Sequence, residues 1–295
     1  METLLSPRQA ASIIGLSEST VRRWCDRREV SFQLTPGGHR RLLRSSVLAR
    51  AQRLGLELDD SASAAVIGPA HAADSSALSG QLYQLLVDGR LGDAQRLILE
   101  LISQSMPVAS ACDAVIAPAM RRVGAAWEAG TLNVFEEHAA SYAVSAALGA
   151  AQLALPKPLT TGPIVVCGAL SGDPYVLGPM MAGLVMQAEG CQPWVTGSDT
   201  PADEFLKAVV ARRATMLTIS VGCIADHPRL VADLNRLYEA VAARGCLLAI
   251  GGRALDRGLR TQLRADFFGD TMTHLATFAR GHVANRHLAS PKDAR

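Results

Sequence analysis

The sequence predicts a three-part chain: a winged helix-turn-helix head, a four-helix bundle and a doubly wound α/β domain. Three observations carry this. The charge is divided, because residues 1–56 hold ten Arg, no Lys and four acids, a net of +6, while the remainder carries −4 of the chain's overall +2. The apolar residues recur at helical steps through the middle of the chain. They then change to short β-branched runs alternating with amphipathic stretches. Boundaries fall at residues 1–58 for the head, 59–76 for a linker, 77–158 for the helical cap and 159–290 for the sheet domain. With 295 residues, 49% hydrophobic and 19% charged, the chain has apolar mass for real cores, and a largely disordered chain is excluded.

In the head, Ser6-Pro7 starts a helix, with Ser as cap and Pro in the first turn. Ala10, Ala11, Ile13 and Ile14 form its apolar face. Gly15-Leu16-Ser17 turns the chain into a second helix from Glu18 to about Arg27, with Val21 and Trp24 facing inward. This is helix-turn-helix grammar, in which the second helix enters a major groove. After it, Val30 to Thr35, Pro36-Gly37-Gly38 and His39-Arg40-Arg41 form a hairpin wing with bases at its exit. Ser19, Thr20, Arg22, Arg23, His39, Arg40 and Arg41 are the expected DNA-facing residues, and double-stranded operator DNA is the expected partner. No long dimer helix is evident after the wing.

Asp59 to Ser76, rich in Ala, Ser and Asp, reads as a linker. Beyond it, Leu82, Leu85 and Leu86, then Leu97, Ile98, Leu101 and Ile102, then Val115, Ile116, Met120 and Val123 keep helical spacing. Gly89, Pro107 and Gly130-Thr131 divide this region into about four helices. From Gly162 the strands follow at Ile164–Cys167, Pro193–Thr196, Met216–Val221, Leu247–Ile250 and Asp266–Phe268. Strands alternating with helices give a parallel, Rossmann-like sheet covered on both faces.

No apolar run reaches the ~18 residues of a membrane span, so no membrane partner is expected. The opening Met1-Glu2-Thr3-Leu4-Leu5 does not read as a signal peptide. Six Cys lie without metal spacing, so no structural metal site is expected and a reducing cytoplasm is the expected location.

The run Ser17 to Trp24 followed by Thr35 to Arg41 closely resembles the winged-helix head of the MerR family. The cap carries Trp127 followed by Glu137-His138. On spacing alone, a Trp on a helix is core and Glu-His a surface pair. With the following sheet domain, however, the chain resembles the cobalamin-dependent MerR-type photoreceptors, the CarH/LitR group. The resemblance implies adenosylcobalamin as cofactor, with Trp127 over the adenosyl group and Glu137 and His138 contacting it or stabilising the cap. Winged-helix dimers match palindromic operators, so a homo-oligomer is expected, a dimer or the tetramer that the resemblance implies.

Cobalamin-binding domains carry Asp-x-His-x-x-Gly after the first strand. This sequence keeps Asp173 and Gly178 but has Tyr175 where the cobalt-ligating His belongs. Glu128 likewise stands where light-sensing members tend to carry His. Ser220, Gly251 and Gly252 match the pocket's strand ends. Three readings follow: cobalamin held without a protein ligand below, another large ring such as haem with His138 or a Cys as ligand, or a domain that binds a regulatory protein partner and no ligand. Mutases and methyltransferases also use such domains, but they need a catalytic domain that this length does not supply. A non-enzymatic transcription regulator is therefore expected, with a ligand-sized cavity lined by Trp127, Glu137, His138, Tyr175 and Gly178.

Overall fold

The computed structural model describes residues 3–35, 37–54, 56 and 69–289. The head begins with strand β1 (Leu4–Leu5), then helices α1 (Pro7–Ile14) and α2 (Glu18–Asp26), strands β2 (Phe32–Leu34) and β3 (Arg40–Leu43), and helix α3 (Arg44–Arg53). Ser6 caps α1 in a reciprocal box with Gln9, and Gly15 ends it in the left-handed region at φ 64°. Ser17 then caps α2 by accepting from the Thr20 amide. The three strands pair antiparallel in the order β1-β3-β2, so β2 and β3 form the expected wing. Its Pro36 lies outside the described residues. Val21 and Trp24 are buried, as expected from their three-residue spacing.

The expected linker is shorter than its composition indicates. Residues 59–68 lie outside the described residues, but helix α4 (Pro69–Val87) already includes Pro69 to Ser76. Proline is favoured in a helix's first turn and alanine is the best helix former, so Pro69, Ala70, Ala72 and Ala73 suit a helix start. The cap continues with α5 (Leu91–Glu100), running on through a π-helical turn, Leu101–Ser105. Next come α6 (Val108–Ala111), a second π segment, Cys112–Ile116, and α7 (Ala117–Glu128), which act as one rod. Helix α8 (Val134–Ala154) follows. The result is four helical rods, as the punctuation predicts.

The sheet domain alternates β4 (Ile164–Leu170), α9 (Leu177–Ala188), β5 (Gln192–Thr200), α10 (Ala202–Arg212), β6 (Met216–Ser220), α11 (His227–Ala242), β7 (Leu247–Gly251), α12 (Arg257–Gln262), β8 (Phe267–Gly269) and α13 (Met272–Ala289). All five strands are parallel, in the order β5-β4-β6-β7-β8. Side chains alternate along a strand. Accordingly Val165 and Cys167 pack toward α9 and α13, and Val166 and Leu170 toward α10 and α11.

The three parts share cores. The cap's apolar interior includes Met181, Leu184 and Val185 of α9 and Ala276 of α13. At the same seam Asp113 accepts from the Met272 and Thr273 amides at 2.8 Å each, capping α13 from the second π segment. The head's interior, with Ile14, Val21 and Trp24, is continuous with Phe267, Leu275 and Phe278 of the sheet domain.

Candidate functional site

Strand order reverses around β4, so the crevice of this doubly wound sheet lies at the C-terminal ends of β4 and β6. The structure brings Asp173, Tyr175, Gly178, Ser220, Gly251 and Gly252 to these strand ends. Asp173 and Tyr175 lie in the loop after β4 and Gly178 in the first turn of α9. Ser220 ends β6 opposite Gly251, which ends β7. Two glycines are required by close approach. A Cβ on Gly178 would lie 2.2 Å from Ser220 Oγ. On Gly252, at φ +125°, it would lie 2.2 Å from the Val221 carbonyl oxygen.

The Asp173 carboxylate is turned to the backbone. It is 4% exposed and accepts three backbone N–H groups: Tyr175 at 3.1 Å, Gly222 at 2.6 Å and Cys223 at 3.2 Å. With a phenol in place of imidazole at residue 175 there is no ring N–H to orient, and the carboxylate ties the β4 loop to the end of β6. Tyr175 itself is 42% exposed and packs over Gly222. The Arg253 guanidinium stands 4.8 Å from its ring centroid and donates to the Gly222 carbonyl at 3.1 Å. Arg253 was not anticipated from sequence, and only its position directly after Gly251-Gly252 marks it.

On the cap, Trp127 closes α7 and Glu137 and His138 lie at the start of α8, at the same end of the α7–α8 hairpin. Trp127 is exposed rather than core. Glu137 accepts from Ser141 Oγ at 2.7 Å, and His138 Nε2 lies 3.6 Å from the Glu137 carboxylate. The expected common cavity is not what the strand ends enclose. A cavity of about 100 Å³ there is lined by Asp173, Ser220, Cys223 and Asp226 among others, and by none of Trp127, Glu137, His138, Tyr175 or Gly178. It is far below the ~300 Å³ of an ordinary ligand pocket.

Among the described residues no group of His, Cys, Asp and Glu is arranged to hold a metal ion. Burial pushes the thiols of Cys167, Cys191 and Cys246 up to about 12 and raises Cys25 and Cys112 as well. These five are buried, unreactive thiols at neutral pH.

The head's expected DNA residues divide into three groups. His39 and Arg41 are exposed on the wing. Arg40 is tied to Asp26 at 2.6 Å and Arg22 to Glu18 at 2.5 Å. Ser19, Thr20 and Arg23, expected to face a duplex, instead contact the sheet domain. Thr20 Oγ1 donates to the Phe268 carbonyl at 3.0 Å. Arg23 donates to the carbonyls of Arg260, Leu263 and Ala265 at 2.8, 2.9 and 3.2 Å, and Ser19 Oγ accepts from Arg260 at 2.8 Å. Burial, with a smaller contribution from Arg27, lowers the Arg23 guanidinium to about 10, so it remains cationic at neutral pH.

This arrangement defines a winged helix-turn-helix head carried on a four-helix cap and a doubly wound parallel-sheet domain. Residues 4–55 match the family model for a helix-turn-helix domain, and residues 78–152 match the model for a B12 binding domain. The chain is 29% identical over 157 residues to the HTH-type transcriptional repressor CarH of Myxococcus xanthus, covering 53% of this chain and 52% of that protein. It thus spans about half the length of the curated relative it matches. The monomethylamine corrinoid protein of Methanosarcina barkeri superposes with a TM-score of 0.58 at 16% identity, over 69% of this chain and 97% of that one, which shows the shared fold. Among the described residues no helix is long and apolar enough to cross a membrane.

Proposed function

We propose that this chain is a non-enzymatic, DNA-binding transcription regulator whose body takes a cobalamin that receives no imidazole from the protein on its lower face. The observation that carries the reading is the joining, in one chain, of a winged helix-turn-helix head to a B12-binding-type cap and a sheet of the corrinoid-protein fold. Residues of suitable chemistry lie on both sides, at the cap and at the strand ends, and the strand-end cavity of about 100 Å³ would have to widen to take the cofactor. Trp127, Glu137 and His138 offer an aromatic face, a carboxylate and an imidazole at the open end of the cap. Ser220, Gly251 and Gly252 provide small residues at the strand ends. Bound cobalamin would supply a light- or ligand-responsive group in contact with the cap. This chain's residues would hold it by packing and hydrogen bonding, because Asp173 is committed to backbone amides and Tyr175 lies beside Arg253. Assembly through the body belongs to the same reading, since α8 leaves Phe135, Tyr142 and Leu153 exposed.

The test is an absorption titration of the purified chain with adenosylcobalamin. Uptake with a spectrum like that of the free cofactor is expected, and Tyr175→His should shift that spectrum and tighten binding. If neither protein takes up cobalamin, the reading fails, leaving a regulator controlled by haem or by a protein partner. In parallel, Arg41→Ala should weaken binding to random-sequence duplex and flatten its salt dependence by about one unit of slope. An unchanged slope would remove the wing from the interface.

A further inference from the structure

We propose that the head is held in an autoinhibited position, with the DNA-reading face of α2 docked on the open edge of the sheet domain, so that a duplex must compete with the body for it. The inference rests on the DNA-binding reading above and adds a regulatory contact to it.

Helix α2 has three faces. Val21 and Trp24 are buried in the head's own core. A second face carries Glu18, Arg22 and Asp26, whose charges are closed in pairs, Arg22 on Glu18 and the wing's Arg40 on Asp26. The third carries Ser17, Thr20 and Arg23, short hydroxyls and a guanidinium, the residue types that read base edges and phosphates. This third face meets the body. Ser17 and Thr20 are 0% and 2% exposed, and both donate to the Phe268 carbonyl, at 2.6 and 3.0 Å.

The contact is built on both sides. Phe268 is the middle residue of β8, the edge strand of the sheet, whose single strand neighbour among the described residues is β7. An edge strand presents unpaired backbone groups. Here the hydroxyls of α2 take the place of a missing strand, with the Phe268 amide also donating to Thr20 Oγ1 at 3.3 Å. Arg23 places its fork on three carbonyls at and beyond the C-terminal end of α12, where a helix carries partial negative charge, with its guanidinium 3.8 Å from the Phe268 ring centroid. A cluster of acceptor oxygens around an arginine fork is also what a guanine edge or a phosphate offers. The body therefore satisfies the same donors that DNA would satisfy, and α2 cannot occupy both places at once. The wing is not part of this contact: His39 and Arg41 stay exposed and free to make the first encounter with a duplex.

The docking is testable from the body side, without touching a DNA-facing residue. Thr277 of α13 packs beneath the turn at Gly15, where a glycine Cβ would lie 3.1 Å from its Cγ2. Thr277→Trp should wedge the head away. Arg260→Ala, which removes the hydrogen bond to Ser19, is the milder companion if the first variant does not fold. Full-length proteins are titrated with a labelled random-sequence duplex at low salt, and hydrogen exchange is followed over residues 260–277. The released variant should bind about tenfold tighter than the parent and exchange faster over this segment before DNA is added. In the parent, DNA should accelerate exchange there. A released variant that exchanges faster but binds no tighter would overturn the proposal. So would a parent that saturates with DNA while residues 260–277 keep their protection. Absence of duplex binding by every variant would instead overturn the DNA-binding reading, and this proposal with it.

Discussion

Asp173→Ala is expected to destabilise the sheet domain through the backbone rather than through a ligand. The carboxylate is almost fully buried and accepts three N–H groups, from Tyr175, Gly222 and Cys223. Hydrogen bonds to a charged partner contribute roughly 1.5–3 kcal/mol each, and a buried amide left unpaired costs a similar amount. The three share one carboxylate and do not add. In addition, the neighbouring cavity of about 100 Å³ has room for water to reach the freed amides. Water occupies ~30 Å³ in the liquid, so a few molecules can enter. The net loss works out at about 2–4 kcal/mol. Asp173→Asn should lose about half as much, because its carboxamide oxygen can accept only on one side of the staple. Urea unfolding followed by circular dichroism, with no cofactor added, measures both. A loss below about 0.5 kcal/mol for the alanine variant would refute the reasoning and return Asp173 to the role of orienting a ligand.

Trp24→Ala should cost about 3–5 kcal/mol, read in the same unfolding assay, because the ring is 2% exposed in a core shared by head and body. Asp113→Ala should cost about 1–2 kcal/mol and speed exchange at the first turn of α13, whose Met272 and Thr273 amides it caps. His274 is held below its usual value by burial, with Arg260 lowering it further and Asp270 and Asp113 opposing, and its Nδ1 is buried without a partner. The unfolded chain therefore takes up this proton first, and stability should fall as pH drops below ~6.5 toward 5. A His274→Phe variant should show a weaker decline over that window, and an unchanged profile would exclude this residue as the cause.

The sequence by itself determined the local structure. Ser6-Pro7 and Ser17 fix the starts of α1 and α2, because a hydroxyl cap and a proline act on the residues next to them. Runs such as Met216–Ser220 and Leu247–Gly251 are buried on both faces, and their continuous hydrophobicity is legible in one dimension. The helix at Pro69 to Ser76 was hidden because alanine and serine suit a linker composition as well as a helix. Of the candidate site, the residues after β4 and at the ends of β6 and β7 were legible, since a parallel sheet brings its strand ends to one edge whatever the loops do.

Only the tertiary structure decided what those residues touch. Asp173 binds the amides of Gly222 and Cys223, about fifty positions away, and Arg253 covers Tyr175. Ser17, Thr20 and Arg23 meet Phe268 and its neighbours across some 240 residues. Caps and periodicities act over a turn of helix and leave a pattern in the chain. A hydrogen bond to a distant backbone carbonyl leaves none, because every residue carries the same carbonyl and only packing selects which one is reached.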